Sequence, residues 1–219
     1  MIISKASLSR AAGSQGALAK ILLDCAASDR GHSLVWSLFA ATGDEKRNFL
    51  YRRIDAGSYL TVSEHPPEDA HHLWRIEEKD YAPELYPAQN LRFVLRANPA
   101  MSARTPWARG KKVDAVMHAK FKLAADERKA FTGSDAALDW LMARGPVIGA
   151  SFDRERCSAT GYGQVIIRKD GASKPITFSE IDYEGVLTVA DPTKLTAALF
   201  TGVGKARSYG CGLMLVRPA

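Results

Sequence analysis

A single histidine, His32, stands near the expected start of a short helix, with Asp29 three residues before it and Ser33 beside it. The N-terminus of a helix lowers the pKa of an imidazole and attracts phosphate groups. His32 could therefore act as a general acid or base on an anionic substrate. Most single histidines near helix ends are surface or capping residues, and on the residues alone that interpretation is favoured.

A glycine-rich segment at residues 202–212 is the second place where chemistry could occur. It holds four glycines, together with the cations Lys205 and Arg207. Backbone of this composition can approach a phosphate closely. The segment is not a Walker A sequence and lacks the third glycine of the dinucleotide fingerprint, so no nucleotide cofactor is expected. A tight helix-to-strand connection with positive φ explains the glycines better, while the two cations keep phosphate binding open.

The remaining histidines and the cysteines do not form a metal-binding pattern. His71 and His72 are adjacent, so they cannot share one face of a helix or strand. Cys25, Cys157 and Cys211 are too widely spaced for a CxxC site, and an odd number of cysteines does not fit a disulfide framework. We expect no metal, no cofactor and a reducing cytoplasmic setting.

The composition allows one domain or two small ones, and the charge is unevenly distributed. The chain has 219 residues, of which 46% are hydrophobic and 25% charged, with a net charge of +6. Residues 1–97 hold 12 basic and 12 acidic residues, whereas residues 98–219 hold 18 and 12. The basic second half favours an anionic partner. No signal peptide or membrane segment is expected, because charges at Lys5 and Arg10 interrupt the amino terminus and no long apolar stretch follows.

The first half shows the order of elements of a ferredoxin-like βαββαβ unit whose second helix is reduced or replaced. Its periodicity predicts a strand at 2–8, a helix at 17–25, a short helix at 31–39, strands at 49–54 and 59–63, a strand at 73–76 and a strand at 91–95.

The second half again offers helix, strands, helix and strand. Residues 104–129 carry eight basic side chains and few regularly spaced aliphatics, which predicts a segment that is partly loop. A helix at 134–144 should stop at Gly145 and Pro146. Strands at 162–168 and 177–189, a helix from Pro192 through Phe200, and a strand at 210–216 follow. We therefore expect an α+β protein with two tandem ferredoxin-like domains and antiparallel sheets, divided into residues 1–97 and 98–219.

Several local strings occur in one order across nearly the whole chain. They include His32-Ser-Leu-Val-Trp36-Ser-Leu-Phe39, Leu95-Arg-Ala-Asn98-Pro and the glycine-rich segment. Together they resemble the CRISPR-associated endoribonucleases of the CasE type, the crRNA-processing subunit of the subtype I-E Cascade complex in the RAMP superfamily.

The resemblance implies two ferredoxin-like, RAMP-type domains and a specific reaction. The family cleaves CRISPR precursor RNA on the 3′ side of the repeat hairpin without metal, leaving a 5′-hydroxyl and a 2′,3′-cyclic phosphate. His32 aligns with the catalytic histidine of the family. The expected partners are the CRISPR repeat RNA hairpin, which the enzyme retains after cleavage, and the backbone subunits of Cascade.

The chain departs from the family at one position. The family often has a tyrosine three residues before its histidine, which helps to position the scissile phosphate, and this chain has Asp29 there. A carboxylate would repel the phosphate, so Asp29 either orients the imidazole or points away. Ser33 and Ser158 are alternative hydroxyl donors, and Lys169 or Lys174 could stabilise the transition state or simply flank a solvated turn. The expected catalytic set is His32, Asp29, Ser33 and Lys174.

The basic second half suits a hairpin, because A-form RNA is recognised through phosphates, 2′-hydroxyls and groove shape. The expected RNA contacts are Arg104, Arg109, Lys111, Lys112, Lys120, Lys122, Arg154, Arg156, Arg168, Lys169, Lys205 and Arg207.

Two other functions remain open on the sequence. The chain could be a non-catalytic structural subunit that binds the RNA hairpin while another nuclease cuts, and Asp29 in place of the tyrosine motivates that alternative. It could also be an unrelated small-molecule enzyme, because the ferredoxin-like fold hosts many functions.

Overall fold

A computed structural model of the chain describes residues 1–9, 31–39, 48–69, 72–105, 108–168 and 173–219. The helix expected at residues 17–25 lies outside the described residues.

The first half of the chain builds a four-stranded antiparallel sheet. Its strands are β1 (Ile2–Leu8), β2 (Phe49–Arg53), β3 (Ser58–Ser63) and β4 (Trp74–Asp80), in the order β2-β3-β1-β4. Helix α1 (Gly31–Ser37) lies between β1 and β2 in the chain, as its apolar spacing predicts. No helix joins β3 to β4 in the described part of residues 64–73, which fits the expected loss of the second helix.

Packing of α1 against this sheet determines where His32 lies. Val35 and Leu38 are fully buried among aromatic side chains of the sheet, and Phe39 stacks on Phe49 with ring centroids 4.2 Å apart. His32 is one helical turn before Val35, so both side chains lie on the same side of the helix. The apolar contacts of α1 therefore hold the imidazole at a fixed edge of the first unit.

In its described residues, the second half builds a five-stranded sheet, a separate hairpin and four α-helices. The elements are β5 (Asn90–Ala97), β6 (Ala100–Thr105), β7 (Ala108–Asp114), α2 (Ala115–Lys122), α3 (Glu127–Ala130), α4 (Ser134–Ile148), β8 (Ala150–Phe152), β9 (Ser158–Ile167), β10 (Ile176–Val189), α5 (Pro192–Thr201) and β11 (Met214–Pro218).

Both sheets have the strand order of the ferredoxin-like fold. In the second sheet the order is β11-β5-β10-β8, with β9 paired to β10, and α4 and α5 pack on the apolar face. The four strands of the first sheet, and β5, β8, β10 and β11 of the second, can each be numbered 1 to 4 in chain order. In both sheets the spatial order of the strands is then 4-1-3-2. The expected α+β architecture with tandem antiparallel sheets is confirmed.

The pairing of β5 bears on where the chain divides. A division after Ala97 places β5 in the first unit, and β5 pairs with β10 and β11 in the second sheet. Its alternate residues Leu91, Phe93 and Leu95 are buried in the core that α4 and α5 cover. We therefore propose that the boundary lies in the connection at residues 81–89.

Two segments contain more regular structure than predicted. The basic segment at 104–129, expected to be partly loop, contributes to the β6–β7 hairpin, to α2 and to α3, with turns and loop at residues 123–126. Helix α4 continues through Gly145 and Pro146 to Ile148, and Gly149, whose φ is +73°, caps its end. Burial of Ile148 beyond the proline favours the longer helix, because it adds apolar surface to the core.

The last strand also begins later than predicted, at Met214 instead of residue 210. Gly210 and Gly212 have φ values of +84° and +93°, which are incompatible with extended strand backbone.

A shared carboxylate joins the two sheets. Asp182 on β10 accepts hydrogen bonds from Arg96 on β5 at 2.6 and 3.0 Å, and from Arg52 on β2 of the first sheet at 3.1 Å. Burial lowers the pKa of Arg52, and the charge of Asp182 opposes that effect. The hydrogen bond to Asp182 raises the pKa of Arg96. The carboxylate therefore offsets the charges of two neighbouring guanidinium groups at the junction of the sheets.

We expect Asp182→Asn to lower the free energy of unfolding by about 1–3 kcal/mol, because it removes the anion of the half-buried Arg52 and leaves Arg96 only Glu180, at 3.7 Å. The matched control is Glu77→Gln, which removes the exposed pair between Arg75 and Glu77 and should cost under about 0.5 kcal/mol. Urea denaturation of both variants measures the difference. Equal stabilities would contradict a structural role for the shared carboxylate.

Candidate active site

His32 lies at the junction of the two units, where three rings meet. Tyr209 ends a short 3₁₀ turn (Arg207–Tyr209) in the glycine-rich segment, and its ring lies 5.3 Å from the imidazole at an interplanar angle of 71°. Phe178 on β10 stacks on Tyr209 at 5.5 Å and 29°. The imidazole of the first unit is thus in edge-to-face contact with a phenol that the second unit holds in place.

The four glycines of the segment supply backbone conformations that other residues avoid. Gly202, Gly204, Gly210 and Gly212 have φ values of +83°, +85°, +84° and +93°, which confirms the expected tight connection. At Gly210 an added Cβ would lie 3.2 Å from a ring carbon of Tyr51. The segment therefore packs directly on β2 of the first unit.

Hydrogen bonds tie this segment to both units. The Tyr51 hydroxyl donates to the Ser208 carbonyl at 3.2 Å, and the Gly212 N–H donates to the Arg96 carbonyl at 2.7 Å. Arg207 donates to the carbonyls of Gly204 and Thr201. Arg207, expected to bind RNA, thus stabilises the turn that carries Tyr209.

The other expected catalytic residues are placed differently. Ser33 is exposed, and its Oγ lies 3.4 Å from His32 Nε2, which is long for a hydrogen bond. Lys174 is exposed two residues before β10 begins, on the strand that carries Phe178. Asp29 and Lys169 lie outside the described residues.

Ser158 is separated from this group. It starts β9 opposite Glu184, six residues along β10 from Phe178, which corresponds to about 20 Å of strand. The structure therefore does not bring Ser158 to His32.

The cations expected to bind RNA fall into two groups. Arg154 is held by Asp139 at 2.7 Å and by Asp135 at 3.1 Å, so its charge is largely offset. The second group is exposed or half-buried and has no ion pair among the described residues. It consists of Lys112, Lys120, Lys122, Arg156, Arg168 and Lys205. Arg104, Arg109 and Lys111 belong to the β6–β7 hairpin by their backbone, and their side chains lie outside the described part.

A second carboxylate fixes the basic hairpin and helix on the sheet. Asp114 ends β7 and caps α2 by accepting from the Met117 N–H at 2.8 Å. It also accepts hydrogen bonds from Tyr162 on β9, at 3.1 Å, and from Ser179 on β10. Burial and the charge of Asp114 raise the pKa of Tyr162 to about 12. The lysines of β7 and α2 are therefore anchored on the same β9–β10 pair that carries Phe178.

The part of the chain that the structure describes contains no group of three His, Cys, Asp or Glu side chains arranged to hold a metal ion. Burial raises the pKa of Cys211 to about 12, so this thiol is neutral at physiological pH and a poor nucleophile. None of the described helices is long and apolar enough to cross a membrane.

Sequence reasoning missed Tyr209, Phe178 and Asp182 as parts of the site. Tyr209 had one available signal, because it is the aromatic residue inside the glycine-rich segment. Phe178 and Asp182 carry no local signal, since their partners lie far away in the chain.

Gly210→Ala should destabilise the protein by about 1–3 kcal/mol, because alanine resists this positive φ and its Cβ would press on the Tyr51 ring. Gly110→Ala is a matched control, since its φ is +76° and nothing lies within 4 Å of an added Cβ. Thermal unfolding should show a larger loss for Gly210→Ala than for the control. Equal losses would mean that the segment does not pack tightly on β2.

Known proteins resemble the chain over most of its length. The model of a family described as CRISPR associated protein matches residues 1–218. The CRISPR-associated endoribonuclease Cse3 of Thermus thermophilus is 32% identical over 187 residues, which cover 84% of this chain and 80% of that protein. The CRISPR system Cascade subunit CasE of Escherichia coli is 25% identical over 192 residues, covering 85% of this chain and 90% of that protein.

Solved structures share the fold. The CRISPR endoribonuclease Cse3 bound to a 19-nucleotide RNA matches with a TM-score of 0.72 and 22% identity, covering 99% of this chain and 98% of that chain. Cas6e of Escherichia coli matches with a TM-score of 0.58 and 21% identity over the full length of both chains. With the match to the family over nearly every residue, these similarities show that the chain belongs to the CRISPR-associated protein family.

Proposed function

We propose that the protein is an endoribonuclease that cuts CRISPR precursor RNA at the 3′ base of the repeat hairpin and then stays bound to its product as a Cascade subunit. The observation that carries the proposal is the position of His32, which the fold holds against Tyr209 at the junction of the two units. The similarity to the endoribonuclease Cse3 and to the Cascade subunit CasE supports it.

The proposed reaction needs no metal. The ribose 2′-oxygen attacks the adjacent phosphorus, so that an O2′–P bond forms while the P–O5′ bond breaks. The 2′-hydroxyl gives up its proton to a base, and the leaving 5′-oxygen takes a proton from an acid. His32 supplies one of these transfers, as histidine does most often in proteins. The products are a 2′,3′-cyclic phosphate and a 5′-hydroxyl.

Four other residues of the expected set have proposed supporting roles. The exposed Lys174 stabilises the negative charge that develops on the phosphate, and Ser33 offers a hydroxyl beside the imidazole. Asp29 completes the set by orienting His32. Lys205 stays exposed on the glycine-rich segment and can reach RNA phosphates, whereas Arg207 is occupied by carbonyl groups.

The proposed RNA surface is the basic hairpin β6–β7 together with α2. Lys112 and Lys122 are exposed there, and Asp114 keeps this surface in a fixed position relative to the strand that bears Phe178. A hairpin bound through its phosphates would therefore present one backbone position to His32. We further infer a cytoplasmic location, which the unpaired thiols of Cys157 and Cys211 support.

Purified protein should cut its repeat RNA once, at the hairpin base, in the presence of EDTA. His32→Ala should slow this cleavage by about 10²- to 10⁴-fold and leave RNA affinity nearly unchanged, because it removes a proton-transfer group and no phosphate clamp. The control is His65→Ala, an exposed histidine after β3. Single-turnover assays on a gel measure the rates.

The same assay separates the rival functions. Binding without any cleavage by the unaltered protein would favour the non-catalytic hairpin-binding subunit. Neither binding nor cleavage would reject the RNA function itself. Equal rates for His32→Ala and His65→Ala would remove His32 from the mechanism.

Lys122→Gln should weaken binding of the repeat hairpin and reduce the slope of log K against log salt by about 0.9, because one phosphate contact is lost. Arg154→Gln should have a smaller effect on both the affinity and the salt slope, because Asp135 and Asp139 already offset the charge of Arg154. Fluorescence anisotropy at several salt concentrations tests both. A larger effect at Arg154 than at Lys122 would move the RNA surface from α2 to the start of α4.

A further inference from the structure

Tyr209 is held more firmly than a residue at the end of a surface turn needs to be. Phe178 stacks on one side of its ring and the imidazole of His32 contacts it edge to face. The preceding residue, Ser208, is fixed through its carbonyl by Tyr51. These contacts come from α1, β2 and β10, so both units determine the position of one phenol.

The backbone before this phenol is strained. Ala206 has a φ of +55°, a conformation that residues other than glycine seldom adopt, and its carbonyl accepts the Tyr209 N–H at 2.9 Å. Arg207 holds the turn closed through two carbonyls. Such strain persists only where the surroundings enforce it, and it concentrates at functional sites.

The Tyr209 hydroxyl has no hydrogen-bond partner among the described residues. The hydroxyls of Tyr51, Tyr86 and Tyr162 donate to protein oxygens, whereas the hydroxyl of Tyr81, whose ring packs on Phe200, also has no partner among the described residues. The hydroxyls of Tyr59 and Tyr183 are sealed in the core, whereas the side chain of Tyr209 is only half-buried. The Tyr209 hydroxyl is therefore accessible on a half-buried side chain and makes no hydrogen bond with the described residues.

The spacing of the two rings suits one phosphodiester. Two groups that bind different oxygens of the same phosphate lie about 4–7 Å apart, given ordinary lengths for charge-assisted hydrogen bonds. The ring centroids of His32 and Tyr209 are 5.3 Å apart, so the two side chains are close enough to contact one phosphodiester together.

We propose that the Tyr209 hydroxyl donates a hydrogen bond to a non-bridging oxygen of the scissile phosphate, which makes Tyr209 a catalytic residue. This inference rests on the proposed RNA cleavage. The phenol stabilises the charge that builds up on that oxygen during attack by the 2′-hydroxyl, and its ring keeps the imidazole facing the same phosphate. The Tyr209 hydroxyl thus positions the scissile phosphate, a role for which Ser33 and Asp29 are less suited.

The test is Tyr209→Phe, which removes the hydroxyl and keeps both ring contacts. Single-turnover cleavage should slow by about 10- to 10³-fold, because one donor to the developing charge is lost. Affinity for repeat RNA with a 2′-deoxy sugar at the cut site should change less than about twofold, since uniform binding is retained. Tyr86→Phe is the control, because its exposed hydroxyl binds only Glu84 among the described residues.

A phosphorothioate substrate separates direct contact from structural support. Sulfur at the non-bridging position that Tyr209 contacts should slow the unaltered protein, and the same substitution should have little further effect on Tyr209→Phe. Tyr209→Leu, which also loses the ring contacts, should be no faster than Tyr209→Phe.

Two results would overturn the proposal. One is a cleavage rate for Tyr209→Phe equal to that of the unaltered protein. The other is a slower Tyr209→Phe that shows the full sulfur effect at both non-bridging positions. Failure of the unaltered protein to cut any repeat RNA is a different outcome, because it rejects the proposed function before Tyr209 is tested.

Discussion

The candidate site depends on the carboxylate of Asp182, because it is bonded by one arginine from each sheet. Arg52 and Arg96 repel each other, and they remain adjacent because a shared anion offsets that repulsion. Arg52 is next to Tyr51, whose hydroxyl holds the Ser208 carbonyl. The ion pair that joins β2 to β10 is therefore adjacent in the chain to the contact that fixes the turn carrying Tyr209 on β2.

Much of the fold could be predicted from the sequence, since periodic burial reports local structure directly. The strands of the first sheet, α1 and α5 followed from apolar spacing and from caps such as Asp191, which accepts from the Lys194 N–H. The partner of β5 could not be predicted in this way, because its alternation is the same in either sheet. The length of α4 could not be predicted either, because burial of Ile148 in the core outweighs the local tendency of Pro146 to end a helix.

The site was only partly predictable for the same reason. His32 stands out because of its residue type and the strings around it, whereas the partners that position it are separated from it by more than a hundred residues. Cations present a different difficulty. The sequence does not distinguish Arg154 and Arg207, which the fold occupies with carboxylates and carbonyls, from Lys122, which has no ion pair among the described residues.

Some cations are bonded to protein groups and others are available to RNA. The available cations govern the affinity for RNA, whereas the rate of cleavage depends on other contacts. Lys112 and Lys122 keep their charge available at the surface, so phosphate attraction depends on their number and on salt. The contact between His32 and Tyr209 depends instead on the relative position of the two units, which the Asp182 carboxylate and the strained turn at Ala206 help to fix. A change in the relative position of the two units would alter the rate of cleavage, while the electrostatic attraction for RNA remained. Proximity of the reacting groups, which is sensitive to displacements of about 1 Å, is therefore the property that the junction of the two units controls.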